Sequence, residues 1–224
     1  MTAAPERFYP VFLDLRGRAC LVVGAGPVAV GKIRGLMEAG ADVTIVAPAA
    51  APPVPAWSEE GQIRWLRREF RDDDLDGCWL AIAATRDGAV NAAVFSGADR
   101  RRLLVNAVDD LAHSTFIAPA TARSGAVQVA VTTGGNSPAL AKRLRDRIQA
   151  EVLSDGVARL AALLGSWRPA VKEALGGYTK RQAFWEGVLD SCVPALTESG
   201  DVMRASQALE EALRRRASAE ARRD

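Results

Sequence analysis

An apolar run, Arg18 to Val23 (RACLVV), stops at Gly24-Ala25-Gly26-Pro27-Val28-Ala29. The run suits a strand buried on both faces of a parallel sheet. After Pro27, residues Ala29, Ile33, Leu36, Met37 and Gly40 fall near one face of a helix of period 3.6. Gly40 is placed to end that helix, because glycine takes the left-handed conformation past the last turn. Asp42 to Pro48 (DVTIVAP) reads as a second strand. Strand, glycine-rich turn, helix and strand over about thirty residues make a right-handed βαβ unit.

The turn has the form G-x-G-x-x-A, a variant of the dinucleotide-binding pattern. Gly24 permits the tight turn, Gly26 lets backbone approach a diphosphate, and Ala29 lets the helix pack close to the sheet. Free amides at the helix start and the helix dipole favour an anion. Pro27 removes one donor and presets φ for the first turn. A G-x-G alone is a weak signal; here it follows a strand pattern and opens a helix, the context that supports cofactor binding over a turn kept for packing. One element of the pattern is missing. An acidic residue that grips the ribose belongs roughly 20 residues on, but the segment there is IVAPAAAPP, with neither carboxylate nor arginine. The ribose must be met by backbone around Ala47 to Ala49 or by something distant, and NAD is not separated from NADP by the motif.

The alternation continues. Ala47–Ala56 (APAAAPPVPA) is proline-rich and reads as loop. Gln62–Phe70 is a weaker strand, Cys78–Thr85 (CWLAIAAT) another buried one, and Leu103–Asp110 (LLVNAVDD) a fifth. Between the last two, residues 87–101 suit a helix with Asp87 as N-cap. Five strands interleaved with helices or turns predict a doubly wound α/β domain over 1–113. The texture then changes. Phe116–Gly135 reads as two strands joined at Ser124-Gly125, with Val127, Val129 and Val131 in period-2 alternation. Ser137-Pro138 is a strong helix start, and Leu140, Leu144, Ile148 and Val152 follow at spacing four. The rest is helical in pattern, with breaks expected at Gly156, Gly165 and Gly176-Gly177, and a polar tail (RRRASAEARRD) expected to fray. Residues 114–148 and 149–224 therefore read as two further segments.

Composition excludes several classes. Net charge is +2 over 224 residues, so no global field points to nucleic acid. Clusters at Arg100–Arg102, Lys142–Arg147 and Arg214–Arg216 read as solvated faces. No apolar stretch approaches the ~18 residues of a membrane span, and MTAAPERFYP lacks a basic-then-apolar signal pattern. Three separated cysteines, Cys20, Cys78 and Cys192, and a single histidine, His113, give no zinc spacing. Cys20 and Cys78 read as reduced core residues, and the chain as cytoplasmic.

Two further stretches carry chemistry. Asp109 and Asp110 fall at the carboxyl end of a predicted parallel strand, where open α/β sheets place their ligand crevice. Position alone fits a general base or a loop residue equally. His113 fits a proton shuttle or an ordinary loop histidine. TTGGNSPALAKR presents backbone amides near a capped helix start, with Lys142 and Arg143 beyond. It fits an anion site or a plain strand–helix connection.

Taken together, residues 9–48, CWLAIAAT, VNAVDD, FIAPA and VAVTTGGNSPALAKRLR resemble, in order and spacing, the precorrin-2 dehydrogenase/sirohydrochlorin ferrochelatase family, the siroheme synthases. Lys180–Ser191 (KRQAFWEGVLDS) is similar to that family's helical region. With no methyltransferase following, the resemblance is to the stand-alone form. It implies a Rossmann-like sheet, a small α+β dimerisation segment and a C-terminal helical region. It implies oxidation of precorrin-2 to sirohydrochlorin with NAD, in some members followed by insertion of Fe²⁺ (or Co²⁺), in a homodimer with no resident metal. Asp109 matches the family's catalytic aspartate. Gly24, Ala25, Gly26, Pro27, Val28, Pro48, Ala49 and Thr85 match cofactor contacts. Thr133, Gly134, Asn136, Ser137 and Lys142 match the substrate side, whose amides and cations suit a tetrapyrrole edged with carboxylates. Some members carry a phosphorylatable serine where Thr133 stands, and a threonine leaves that regulation open. The missing ribose acid agrees with the family. The competing reading is an NAD(H)-sensing module without catalysis. A short-chain dehydrogenase is disfavoured because no Tyr-x-x-x-Lys pair occurs.

Overall fold

The computed structural model describes residues 8–220. Two compact units divide between Ala118 and Pro119. In the first, five parallel strands form one sheet in the order β3-β2-β1-β4-β5: β1 Ala19–Val23, β2 Asp42–Val46, β3 Arg64–Leu66, β4 Leu80–Ala83 and β5 Leu104–Ala107. From β1 the chain winds outward to β3, then returns to build β4 and β5 on the other side. The order thus reverses between β1 and β4, and such a switch point opens a crevice at the carboxyl edge. Cys20 and Val22 face α1 (Pro27–Glu38), which buries Ala29, Ile33 and Leu36 against them. Leu21 and Val23 pack with Val94 and Ala98 of α3 (Gly88–Arg100) on the opposite face.

Local signals set most boundaries. Gly40, at φ +75°, follows the end of α1, and its amide bonds to the Met37 carbonyl at 2.9 Å. Asp87 caps α3 by accepting from the Ala89 and Val90 amides at 2.8 and 3.3 Å. The proline-rich stretch after β2 is not all loop. Its last residues start α2 (Val54–Glu59), since proline is tolerated in a helix's first turn, where no amide bond is lost. After β5 the chain turns at residues 108–110 and folds back along that strand. The Thr115 amide bonds to the Val105 carbonyl at 2.7 Å, and the Asn106 side-chain amide to the Phe116 carbonyl at 3.0 Å.

Arg68, just past β3, donates to both carboxylate oxygens of Asp74, one at 2.8 Å, in the 3₁₀ turn Asp72–Leu75. The Asp74 side chain is 6% exposed. Bonding to Arg68 outweighs burial and holds its carboxyl below the ordinary carboxylate range. Arg68→Met should cost the first unit about 1–3 kcal/mol at neutral pH by stranding that carboxylate. Because the folded pKa is depressed, this contribution is present above the unfolded value and lost as pH falls below it. The gap between wild type and variant, read by denaturant melts, should therefore close on acidification from about pH 5 toward pH 2.

The second unit begins with an antiparallel hairpin, β6 (Ala120–Ser124) and β7 (Val127–Val131), with Ala120 opposite Val131. Helix α4 (Pro138–Glu151) packs on it. Ser137 caps α4 through the Leu140 amide at 3.2 Å. The predicted stripe lies outward: Leu140 and Leu144 are 48% and 40% exposed in the single chain, and Val152 is also exposed. Four helices follow: α5 (Asp155–Ala174), α6 (Tyr178–Leu189), α7 (Val193–Ser199) and α8 (Val202–Glu220). They close around Leu163, Val171, Phe184, Val188 and Leu209.

Two helix expectations fail here. Gly156 and Gly165 lie inside α5 rather than breaking it; glycine in a helix costs only about 1 kcal/mol, and packing outweighs that. Gly156 is there for contact with α7, since a Cβ on it would sit 2.6 Å from the Glu198 Cα. The tail does not fray as far as it is described, because α8 runs through Glu220 on pairs such as Arg214–Glu210 and Arg215–Glu211. Residues 221–224 of that tail, and residues 1–7 used in reading the N-terminus, lie outside the described residues.

Candidate active site at the carboxyl edge of the sheet

Gly24 leaves β1 at φ +98°, a conformation that disfavours any side chain. A Cβ there would lie 2.5 Å from the Ala84 carbonyl oxygen and 3.1 Å from the Thr85 methyl. Its amide is held by the Val46 carbonyl at 2.9 Å. Gly26 differs. It has ordinary backbone angles as the N-cap of α1, and a Cβ on it would meet nothing within 4 Å. The first glycine closes the turn against β4, and the second leaves open space. The amides of Gly26 and Val28 have no acceptor among the described residues, and Val28 is exposed. Pro27 occupies the first position of α1, Ala25 is buried, and its carbonyl accepts from the Ala51 amide at 2.8 Å. An open cradle of free amides at the start of a twelve-residue helix fits a diphosphate.

At the end of β2 both backbone groups of Ala47 are engaged. Its amide bonds to the Leu66 carbonyl at 3.2 Å, and its carbonyl accepts from the Trp65 indole at 3.0 Å. Of the backbone expected to meet a ribose, only Pro48 and Ala49 remain, both exposed. Thr85 lies beside Gly24, but its hydroxyl bonds within the loop, 2.8 Å from Asn91 Oδ1 and 2.9 Å from the Asp87 carbonyl. It shapes the turn with its methyl.

The carboxylate pair after β5 separates into two roles. Asp110 is tied down: it accepts from the His113 amide at 3.3 Å and lies 2.6 Å from His113 Nδ1, while its carbonyl accepts from Ser114 at 2.7 Å. Those bonds, led by the imidazole, hold its carboxyl below the ordinary range. His113 in turn meets Phe95 edge-on, ring centroids 5.2 Å apart. Both residues build the returning loop. Asp109 is exposed at φ +60°, and no group among the described residues bonds to its carboxylate. Asp is among the few side chains that tolerate that region. The Lys32 ammonium, half-buried on α1, is pushed below its ordinary value by burial, and the Asp109 charge opposes that shift. The two are electrostatic neighbours without an ion-pair contact. A lysine three residues after the buried Ala29 and next to the buried Ile33 is the sequence signal that reading for glycines and carboxylates passes over. Cys20 and Cys78 are poor nucleophiles, since burial pushes the Cys20 thiol up to about 11 and raises Cys78 as well.

In the second unit, Thr133, Gly134, Asn136 and Ser137 form the turn before α4. The Ser137 amide donates to the Thr133 hydroxyl at 2.9 Å, the Asn136 amide to the Thr133 carbonyl at 3.2 Å, and the Gly134 amide to the Thr132 hydroxyl at 3.1 Å. The amides expected to meet an anion at Asn136 and Ser137 are thus already engaged, because a tight turn satisfies its own donors. Those of Gly135 and Ala139 are without acceptors among the described residues. Lys142 and Arg143 are exposed and unpaired among the described residues.

Residues 11–120 match a family model described as putative NAD(P)-binding. Residues 125–151 match the sirohaem biosynthesis protein central region, and 156–213 the sirohaem synthase dimerisation region. The chain belongs to the siroheme synthase family. Siroheme synthase 1 of Serratia proteamaculans is 40% identical over 206 residues, covering 92% of this chain and 43% of that protein. Siroheme synthase 2 of Cronobacter sakazakii is 43% identical over 177 residues, 79% of this chain and 38% of that protein. The chain thus spans under half the length of these siroheme synthases. A solved structure titled SirC, precorrin-2 dehydrogenase, superposes with a TM-score of 0.72 at 26% identity, over 91% of this chain and 100% of that one. The first unit is accordingly a nicotinamide-dinucleotide module. No helix among the described residues is long and apolar enough to cross a membrane.

Proposed function

We propose that this chain oxidises precorrin-2 to sirohydrochlorin with NAD, at the carboxyl edge of its parallel sheet. The observation that carries the reading is the pairing, on one sheet edge, of an open amide cradle at Gly26 with an unbonded carboxylate at Asp109. NAD supplies a hydride acceptor. The chain's own residues do the rest. Gly24 shapes the turn; Gly26, Pro27 and Val28 meet the diphosphate, with Ala25 fixing the loop beneath. Pro48 and Ala49 line the ribose end, and Thr85 forms the wall beside the turn. Precorrin-2 loses one hydride and one proton, and Asp109 takes the proton. Positioning the macrocycle contributes as much as any single group. Taken by itself, the second unit offers Lys142 and the free amides near α4 as groups suited to tetrapyrrole carboxylates, and Thr133, Gly134, Asn136 and Ser137 build the turn that presents them.

The proposal extends to a homodimer formed through the second unit. A dimerisation-region match and the outward stripe Leu140, Leu144 and Val152 support it. It extends to the cytoplasm, supported by three unpaired cysteines. It extends also to insertion of Fe²⁺, as substrate, into sirohydrochlorin, with two pyrrole protons leaving and Asp109 receiving them in turn.

One anaerobic experiment tests both steps. Precorrin-2 and NAD should give NADH absorbance and the sirohydrochlorin spectrum, and later addition of Fe²⁺ should give that of siroheme. Folded protein that binds NAD but forms no NADH from precorrin-2 would remove the dehydrogenase reading and favour a cofactor sensor. An unchanged spectrum after Fe²⁺ would remove iron insertion alone.

A further inference from the structure

The register of the sheet brings a cation to the ribose end that the segment after β2 lacks. Val46 pairs with Leu66, so Ala47 stands beside Arg67, the first residue past β3. The Arg67 guanidinium lies 4.3 Å from the centroid of the Trp65 ring. That indole is itself fixed, donating to the Ala47 carbonyl at 3.0 Å. Arg67 is thus stacked on a ring bonded to the residue just before Pro48 and Ala49. It is exposed, and no carboxylate lies within ion-pair distance among the described residues, whereas its neighbour Arg68 is paired with Asp74. Residues 47–53 carry no acid that would repel a phosphate.

We infer that Arg67 forms a site for a phosphate monoester on the adenosine ribose, so that the chain binds NADP as well as NAD. A stacked, unpaired guanidinium is pre-organised for phosphate, and its planar fork can donate two bonds to one anion. The acid of NAD-selective Rossmann sites, which bonds the 2′-hydroxyl and repels a 2′-phosphate, has no counterpart here. The inference rests on the reading that the turn at Gly26 holds the dinucleotide's diphosphate.

The test is calorimetric titration of the full chain with NAD⁺ and, separately, NADP⁺, at low and high salt. Wild type should bind the two within about tenfold of each other, and salt should weaken NADP⁺ more. Arg67→Glu should weaken NADP⁺ by about tenfold or more and leave NAD⁺ within about twofold, since only the phosphate meets the reversed charge. Arg34→Glu, at a guanidinium two turns down α1 and 5.9 Å over Trp57, carries the same change in charge and should leave the ratio unaltered. Adenosine 2′,5′-bisphosphate against AMP should repeat the pattern without a nicotinamide. Equal weakening of both dinucleotides by Arg67→Glu, an equal shift of the ratio by Arg34→Glu, or no NADP⁺ binding where NAD⁺ binds would overturn the inference. If neither dinucleotide binds folded protein, the cofactor site itself has been misplaced, and the inference falls with it.

Discussion

Gly24→Ala should lower the stability of the first unit by about 3 kcal/mol and abolish dinucleotide binding. The methyl would stand 2.5 Å from the Ala84 carbonyl oxygen, on a backbone at φ +98° that side chains rarely adopt. Neither partner yields easily, because β1 and β4 are paired from Cys20–Leu80 to Val23–Ala83. Relief would require the turn to open, and with it the bond from the Gly24 amide to Val46. A loss of that size should move the melting midpoint of this unit by roughly 10 °C. The informative control is two residues on. Gly26→Ala has ordinary backbone angles and open space, so its melt should stay within about 0.5 kcal/mol of wild type. Its methyl fills the space a diphosphate would use, so binding of NAD should fall about tenfold or more even though the fold is intact. Calorimetric melts and titrations of the two variants separate the glycine that shapes the turn from the one that faces a ligand. Equal behaviour of the two in both measurements would refute that division.

Asp109→Asn should reduce turnover of precorrin-2 by about 10²–10⁴, the usual range for losing a general base. Asparagine matches the carboxylate in size and tolerates φ near +60°, so the melt should not move and NAD should bind as in wild type. Asp110→Asn should show the reverse pattern. Its carboxylate holds His113 and the returning loop, so the variant should lose stability while keeping most of its turnover per folded molecule. Near-normal turnover in Asp109→Asn would take that residue out of the chemistry.

What the amino-acid pattern reveals in advance depends on range. The helix starts at Asp87 and Ser137 are legible because each cap lies within three residues of the amides it serves, and the start at Pro27 because proline presets the first turn. The buried strands are legible because a parallel sheet covered on both faces demands unbroken apolar runs. The continuation of α5 through Gly156 is not, since its cause is Glu198, more than forty residues away. Asp109 and Asp110 are indistinguishable in a string, and His113 and the backbone angle assign them different work. Free amides also cannot be counted from glycines alone. TTGGNSP looks as generous a donor as the first turn, yet Thr132 and Thr133 absorb several of its amides. The stacked arginine beside Ala47 is invisible for a further reason: its proximity comes from strand register across the Pro52-Pro53 loop and α2, which no local period encodes.

The segment that doubles back along β5 has a consequence for how the molecule keeps its company. An open sheet offers two margins at which a foreign strand could dock by main-chain bonding. On one margin Ser114 and Thr115 of the returning segment already fill the main-chain groups of Val105 and Ala107 that a stranger would need. The other margin is only three residues long, Arg64 to Leu66, and is flanked by Arg67 and Arg68. Short length and crowded positive charge discourage like from stacking on like. Self-association by runaway sheet extension is thus blocked at both ends.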